Sequence, residues 1–330
     1  MKILLFSAKP YDRHFFAKHN ASFGFQLEFL ETHLGPHIVN AVEDGTTAVC
    51  VFVNDRLTKE VIHVLAEKKV KIIALRCAGF NNVDLEAARR AGIKVCRVPA
   101  YSPQAVAEHA IAMLLTLNRK IHKAYNRVRE QNFALNGLLG FNLHGKIVGI
   151  IGMGKIGQAF YPIIKGFGCR VIAYDPFADQ QTHPDIPFVS LDELLGQADI
   201  ISLHCPLTPE NHHLINAASI AKMKKGVTLI NTSRGGLICT RDAIEALKSG
   251  HIGNLAIDVY EQEEKLFFKD LSAEIITDDT IQRLMSFPNV LVTGHQAFFT
   301  EEALDQIAYT TLHSISEIVS GRENVDVIIK

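Results

Sequence analysis

An excess of charge of either sign is missing from this 330-residue chain. Lys and Arg number 34 and Asp and Glu 35, a net charge of −1. No overall field draws in a polyanion, so bulk nucleic-acid binding loses its first support. Long apolar runs are missing too. Arg, Lys, Asp or Gly interrupts every stretch of about 18 residues that a membrane span requires. The N-terminal run Met1–Ser7 is too short for a secretory apolar region and leads into the polar stretch Lys9–Arg13, so the cytoplasm is the expected compartment. Paired cysteines are absent. Cys50, Cys77, Cys96, Cys169, Cys205 and Cys239 stand far apart with no C-x-x-C, which reads as free thiols in a reducing compartment. No His–Cys cluster has metal-ligand spacing, so no metal is expected. There is no fixed-period repeat and no Pro/Ser-rich linker.

What is present is ordinary globular material, 48% hydrophobic and 21% charged. At roughly 150 residues per domain the length suggests about two domains. Short apolar runs predict strands at Lys2–Phe6, Ala48–Val53, Ile72–Arg76, Val95–Val98, Lys146–Ile151, Arg170–Tyr174, Ile200–Leu203, Val227–Asn231, Leu255–Val259 and Val290–Thr293. Amphipathic stretches predict helices at Thr58–Lys68, Asp84–Ala91, Lys155–Gly166, Leu191–Ala198, Ala217–Met223 and Thr240–Ser249. Strands without polar alternation, separated by helices, indicate parallel sheets covered on both faces. One longer helix is expected from Ser102-Pro103 to about Tyr125, opened by a capping side chain and a proline. Its first half is apolar enough to be buried nearly all round, between domains or at a subunit interface. Its tail is basic, with Arg119, Lys120, His122, Lys123, Arg127 and Arg129. That is either a solvated, salt-bridged face or an anion-binding patch.

The strand Lys146–Ile151 runs into Gly152-Met-Gly154-Lys-Ile-Gly157 and then a helix. A lone G-x-G-x-x-G is weak evidence, but this one has strand before, helix after and a second strand ending in Asp175. Gly152 allows a tight turn, Gly154 lets a pyrophosphate approach the backbone, and Gly157 lets helix and strand pack closely. The helix N-terminus favours an anion. A carboxylate at Asp175 accepts from ribose hydroxyls and repels a 2′-phosphate, so NAD is expected rather than NADP.

Ligands of open α/β sheets bind beyond the carboxyl ends of the strands. There this chain carries Thr232-Ser233-Arg234, the acids Glu261, Glu263 and Glu264, and His295. Alone, His295 reads as a loop histidine, Arg234 as a surface residue and Glu263 as part of a charged loop. Together they match the needs of hydride transfer to a keto acid. A planar guanidinium suits the substrate carboxylate. A histidine supplies the proton that the carbonyl oxygen takes up. A carboxylate on the other ring nitrogen fixes the tautomer and favours the imidazolium.

The motifs Arg76-Cys-Ala-Gly-Phe-Asn-Asn-Val-Asp84, Val98-Pro-Ala-Tyr101, Ala105-Val-Ala-Glu-His109, Gly152 to Gly157, Ser202-Leu-His-Cys-Pro-Leu-Thr-Pro-Glu-Asn211, Asn231-Thr-Ser-Arg-Gly-Gly236, Leu255-Ala-Ile-Asp-Val-Tyr-Glu261 and Thr293-Gly-His-Gln-Ala-Phe298 resemble the D-isomer-specific 2-hydroxyacid dehydrogenase family, and within it the bacterial branch that forms D-lactate. The resemblance implies two Rossmann-like or flavodoxin-like α/β domains with parallel sheets and an active site in the cleft between them. Residues 1–100 plus 299–330 would form the substrate domain and 101–298 the NAD-binding domain. It implies NADH-dependent, reversible reduction of pyruvate, with His295 as the acid/base, Glu263 as its partner, and Arg234 binding and polarising the substrate. Glu263 is chosen because the family glutamate lies five residues after the aspartate matched by Asp258. Lys155 and Ile156 would meet the pyrophosphate with backbone amides and Asp175 would hold the ribose. Cys205, Pro206, Asn211, Thr232, Ser233 and Asp258 would line the rest of the NAD site, with Asp258 near the carboxamide. Ala78 and Gly79 would offer amides and Tyr101 its hydroxyl to the substrate carboxylate. Phe52 and Phe299 would close a small side-chain pocket. Homo-oligomers through the NAD domain are implied, and the apolar helix suits that role. The rival readings are a reductase of a larger keto acid, such as phenylpyruvate or a branched-chain acid, and a non-enzymatic NAD-sensing regulator, since some relatives act as transcriptional corepressors.

Overall fold

The computed structural model describes residues 1–178, 184–322 and 324–329. The chain divides into two compact units, Met1–Ser102 with Phe299–Lys330, and Pro103–Phe298. The first opens with β1 (Lys2–Leu5), α1 (Pro10–Asn20), β2 (Gln26–Phe29), β3 (Thr46–Val51), α2 (Lys59–Glu67), β4 (Ile72–Leu75), α3 (Leu85–Arg90) and β5 (Lys94–Arg97). The second holds α4 (Pro103–Arg119), α5 (Ile121–Arg129), β6 (Ile147–Ile151), α6 (Lys155–Gly166), β7 (Arg170–Tyr174), α7 (Leu191–Gln197), β8 (Ile200–Leu203), α8 (Ala217–Ala221), β9 (Val227–Asn231), α9 (Thr240–Ser249), β10 (Ile252–Ile257), α10 (Asp279–Met285) and β11 (Val290–Val292). The chain then returns to the first unit with α11 (Glu301–Val319) and β12 (Val327–Ile329).

The first unit's sheet has the order β12-β5-β4-β3-β1-β2, parallel except for the antiparallel edge strand β12. Its central strands are mainly apolar because both faces are covered. Leu4, Val49, Ile73 and Val95 pack with Val61, Leu65 and Ala88 of α2 and α3, while α1 and α11 lie against each other. The second unit's sheet has the order β11-β10-β9-β8-β6-β7 and is wholly parallel. One face packs Leu117 of α4 and Phe160 and Ile164 of α6 on Val148, Ile150 and Ala173. The other packs α7, α9 and α10 on Ile201, Leu229 and Leu255. The strand order reverses between β6 and β8, the topological switch point where such sheets bind ligands.

The expected long helix is two. It breaks at Lys120, whose backbone is left-handed (φ 52°). Asn118, buried at the end of α4, binds both the amide and the carbonyl of Phe141 through its side chain, which ties the returning segment to the end of that helix. The apolar half, Ala105 to Leu117, is covered by its own unit rather than left for a partner. The basic tail lies at the surface, as a solvated face would, and its cations bond to backbone and hydroxyl oxygens there. Lys120, Lys123 and Arg127 donate to the carbonyls of Leu139, Pro288 and Asn136, and Arg129 to the hydroxyl of Tyr125. Strand β10 begins at Ile252, earlier than expected, because a register shift near Gly253 interrupts its apolar pattern.

Candidate active site

The glycine loop lies at the switch point. Gly152 is left-handed (φ 96°), and a Cβ there would sit 2.4 Å from the Cys205 amide nitrogen, so only glycine lets the loops after β6 and β8 meet. At Gly157 a Cβ would lie 2.1 Å from the Gly152 carbonyl oxygen. Around Gly154 there is open space. It is the N-cap of α6 and no side chain caps that end, so Lys155 and Ile156 begin a helix whose first amides and positive dipole end favour an anion. Asp175, half-buried at the end of β7, accepts from the amides of Met153 (2.7 Å) and Phe177 (2.9 Å), which ties the carboxylate to the glycine loop. Ser233 Oγ donates to the Cys205 carbonyl at 2.6 Å. Asn211 spends its amide on the turn after β8, accepting from Thr208 and donating to the carbonyl of Pro206, both at 2.7 Å. Thr232 Oγ1 is buried and has no hydrogen-bond partner among the described residues. A buried hydroxyl in that state is open to a polar partner. The bare helix end, the carboxylate at the strand end and this hydroxyl fit a dinucleotide.

The loops after β9, β10 and β11 carry the titratable groups. Glu263 Oε1 lies 2.9 Å from His295 Nδ1. A carboxylate only accepts, so Nδ1 carries the hydrogen and Nε2 faces away from Glu263. The second Glu263 oxygen accepts from the Tyr260 amide at 2.9 Å. His295 is itself left-handed (φ 55°), a conformation that the surroundings must hold in place. Asp258 provides the hold. Its carbonyl accepts from the His295 amide at 2.7 Å, and its carboxylate from the amides of Gln296 (2.9 Å) and Ala297 (2.8 Å) and from Thr293 Oγ1 (2.5 Å). Burial pushes this carboxyl up, but the bonds from His109, Thr293, Ala297 and Gln296 outweigh it and keep it below the usual range. Arg234 is half-buried, and its Nη1 donates to the Ser233 carbonyl at 2.7 Å. Buried Asn231 shapes that loop, donating to the Arg234 carbonyl (2.9 Å) and accepting from the Ser233 amide (3.0 Å).

The first unit has its own set at the carboxyl ends of β3, β4 and β5. The Phe52 amide donates to Asp55 at 2.6 Å, and the Arg76 guanidinium lies 4.9 Å from the Phe52 ring centre. Arg76 is itself buried against Asp12 and the carbonyls of Phe6 and Ser7. The carbonyl of Ala78 accepts from Arg97 and that of Gly79 from the Cys77 thiol. Tyr101 is half-buried. Phe299 is 49% exposed and meets the Tyr11 ring edge-on at 4.8 Å.

The description "D-isomer specific 2-hydroxyacid dehydrogenase, NAD binding domain" matches residues 111–297, more than half of the chain. The chain belongs to the D-isomer-specific 2-hydroxyacid dehydrogenase family. A 2-hydroxyacid dehydrogenase homolog of Haemophilus influenzae is 54% identical across 98% of this chain and 99% of its own. The apo-structure of Escherichia coli D-lactate dehydrogenase superposes with a TM-score of 0.91 at 49% identity, covering all of both chains. The structure of a pyruvate reductase of Chlamydomonas reinhardtii superposes with a TM-score of 0.92 at 46% identity, over 98% of this chain and 97% of that one.

As a 2-hydroxyacid dehydrogenase the chain is an NAD-dependent oxidoreductase, and NAD is the group that the glycine loop, Asp175 and Thr232 fit. Of the anticipated residues, Glu263 and His295 are in direct contact. The Asp258 carboxylate, by contrast, is 0% exposed and turned onto the His295 loop. Asn231 was not anticipated. It sat inside the Asn-Thr-Ser-Arg motif, but an asparagine at a strand end gives no sign of which neighbour it will brace. Among the described residues, no helix is long and apolar enough to cross a membrane.

Proposed function

We propose that this chain catalyses the reversible, NADH-dependent reduction of pyruvate to D-lactate in the cytoplasm. The observation that carries the reading is the Glu263–His295 pair, 2.9 Å apart, on the strand-end edge that also bears Arg234. Arg234 binds the substrate carboxylate in a planar fork and polarises the adjacent carbonyl. NADH, when bound, supplies the hydride. As negative charge grows on the carbonyl oxygen, the imidazolium of His295 gives up its Nε2 proton to it. Glu263 holds the ring in the tautomer that presents Nε2 and stabilises the imidazolium before the transfer. In oxidation His295 takes the hydroxyl proton back.

Gly152, Gly154, Lys155, Ile156 and Gly157 would cradle the pyrophosphate and Asp175 the adenosine ribose. Cys205, Pro206, Asn211, Thr232 and Ser233 would line the remainder, with Asp258 acting through the loop that it grips. Ala78, Gly79 and Tyr101 are assigned to the substrate carboxylate, and Phe52 and Phe299 to a wall that suits a methyl group. Self-association belongs to the same proposal, through α5 and the segment after it. There Ile121, Tyr125, Val128, Phe133, Leu135 and Leu139 are half or more exposed.

The test is NADH oxidation over a panel of 2-keto acids, with product chirality determined. Pyruvate as the best substrate and D-lactate as product support the reading. Better turnover of phenylpyruvate or branched-chain acids moves the assignment within the family, and no turnover of any keto acid favours an NAD-sensing regulator.

A further inference from the structure

Two residues that the reaction does not use clasp the loops after β8, β9 and β10 together. His213, with left-handed backbone (φ 54°), donates its amide to the Gly236 carbonyl at 2.8 Å, two residues beyond Arg234. Its ring Nε2 lies 2.6 Å from Glu261 Oε1. The other Glu261 oxygen accepts from the Thr240 amide at 2.7 Å. Thr240 is the first residue of α9, and the N-cap residue Cys239 gives that helix no side-chain cap. Glu261 therefore does the capping from another loop, a favourable place for a carboxylate. Asn216 steadies His213 from behind by donating to its carbonyl at 2.9 Å.

The clasp reaches the reacting groups through backbone. At Gly235, next to Arg234, a Cβ would lie 2.1 Å from the Tyr260 carbonyl carbon and 2.4 Å from the Glu261 nitrogen. The Arg234 loop thus rests directly on the Tyr260–Glu261 peptide. The Tyr260 amide in turn holds Glu263, and Glu263 holds His295. We infer that His213 and Glu261 are positioning residues that set the spacing of Arg234 relative to the Glu263–His295 pair. The inference rests on the proposed reaction. Neither residue is given contact with substrate, so the pair acts through Arg234 and Glu263.

The experiment measures kcat and KM for pyruvate, the Kd for NADH and Tm in Glu261→Ala, Glu261→Gln, His213→Asn and the double variant. Asparagine tolerates the left-handed backbone but is too short to reach Glu261. Glu261→Ala and His213→Asn should each raise KM about tenfold, the scale expected when a binding group is misplaced. NADH binding should stay within about twofold, a change worth less than about 0.5 kcal/mol. Glu261→Gln, whose oxygen can accept from the Thr240 amide while its NH2 donates to His213 Nε2 in the Nδ1–H tautomer, should restore KM to near wild type. The double variant should be no worse than the poorer single one, as for partners in one link. In an Arg234→Lys background, Glu261→Ala should add little. Should Glu261→Ala prove insoluble, His213→Asn, which leaves the α9 cap in place, carries the same test. A lowered Tm with unchanged KM, or a full additional loss in the Arg234→Lys background, overturns the inference while leaving the proposed reaction standing. A wild-type chain that turns over no keto acid overturns both.

Discussion

His295 stands in a conformation that a histidine does not choose for itself, and three backbone bonds to Asp258 keep it there. Its ring is the group whose loss should separate chemistry from binding. His295→Ala should lower kcat for pyruvate by about 10²–10⁴-fold with NADH affinity little changed, and near-normal turnover would sink the assignment. Arg234→Lys keeps the charge but loses the fork, so both KM and kcat should worsen. A change confined to NADH affinity would instead move Arg234 to the cofactor site. Glu263→Gln keeps a hydrogen-bonding group and removes the charge beside the His295 ring. With that charge gone the proton donor is less well supported, so kcat for pyruvate should fall while NADH affinity stays near wild type. Glu264→Gln should leave kcat in place, and the reverse pattern would mean that the wrong carboxylate has been named. Asp175→Ser should narrow the preference for NADH over NADPH by relieving rejection of the 2′-phosphate. Equal use of both cofactors by the wild type would contradict the role given to Asp175.

The elements show where a sequence is legible. Strands β7, β8 and β9 and helices α6 and α9 fall on the residues that the pattern predicts, because each is a mostly apolar run or an amphipathic repeat. Edge strands β2 and β12 escaped notice. Gln26–Phe29 mixes polar residues into a strand with one free edge, and Val327–Ile329 is three residues long. Their pairing is decided by the neighbouring strand rather than by their own composition. Nor could periodicity reveal the break at Lys120, beside which Asn118 is tied to Phe141, 23 residues further on. The end of β8 carries a test of its own. His204 is buried beside Phe160, with Nε2 2.9 Å from Ser202 Oγ. Burial pushes its ring down from the ordinary value near 6.5 to about 3. Between those values the unfolded chain binds a proton that the folded chain refuses. The stabilisation is therefore complete above pH 6.5 and drains away as pH falls toward 3, at up to about 1.4 kcal/mol per pH unit. Urea unfolding of His204→Gln from pH 7 to 4 should show a shallower dependence on pH than the wild type. Parallel slopes would show that His204 is not the group responsible.

At the scale of the whole molecule, the residues of the proposed chemistry come from distant stretches of chain, and strand-end position brought them onto one list. Arg234, Glu263 and His295 span 62 residues of sequence, yet they follow three strands that lie side by side as β9, β10 and β11. That ordering was readable. The inward turn of Asp258 was not, because it depends on how the His295 loop folds back. The apolar helix Ala105–Leu117 looked like the surface for a second copy, but its side chains are consumed by its own unit. The exposed apolar residues lie instead between Ile121 and Leu139, with Leu139 88%, Leu135 80% and Phe133 72% exposed. So many large apolar groups within 19 residues exceed the scattered exposure normal for a monomer. Tyr125 and Val128 stand with Ile121 and Ala124 on one helix face, flanked by Arg119 and Arg129. In a two-fold contact the same surface would serve both copies. Light scattering after gel filtration should then give the wild type a mass at least twice the 36.6 kDa of one chain. Combining Tyr125→Glu with Leu139→Glu should shift it toward a single chain, with helical content unchanged by circular dichroism. A wild type that runs as a single chain at micromolar concentration refutes self-association through this surface, and a charged variant that keeps its oligomeric mass places the contact elsewhere.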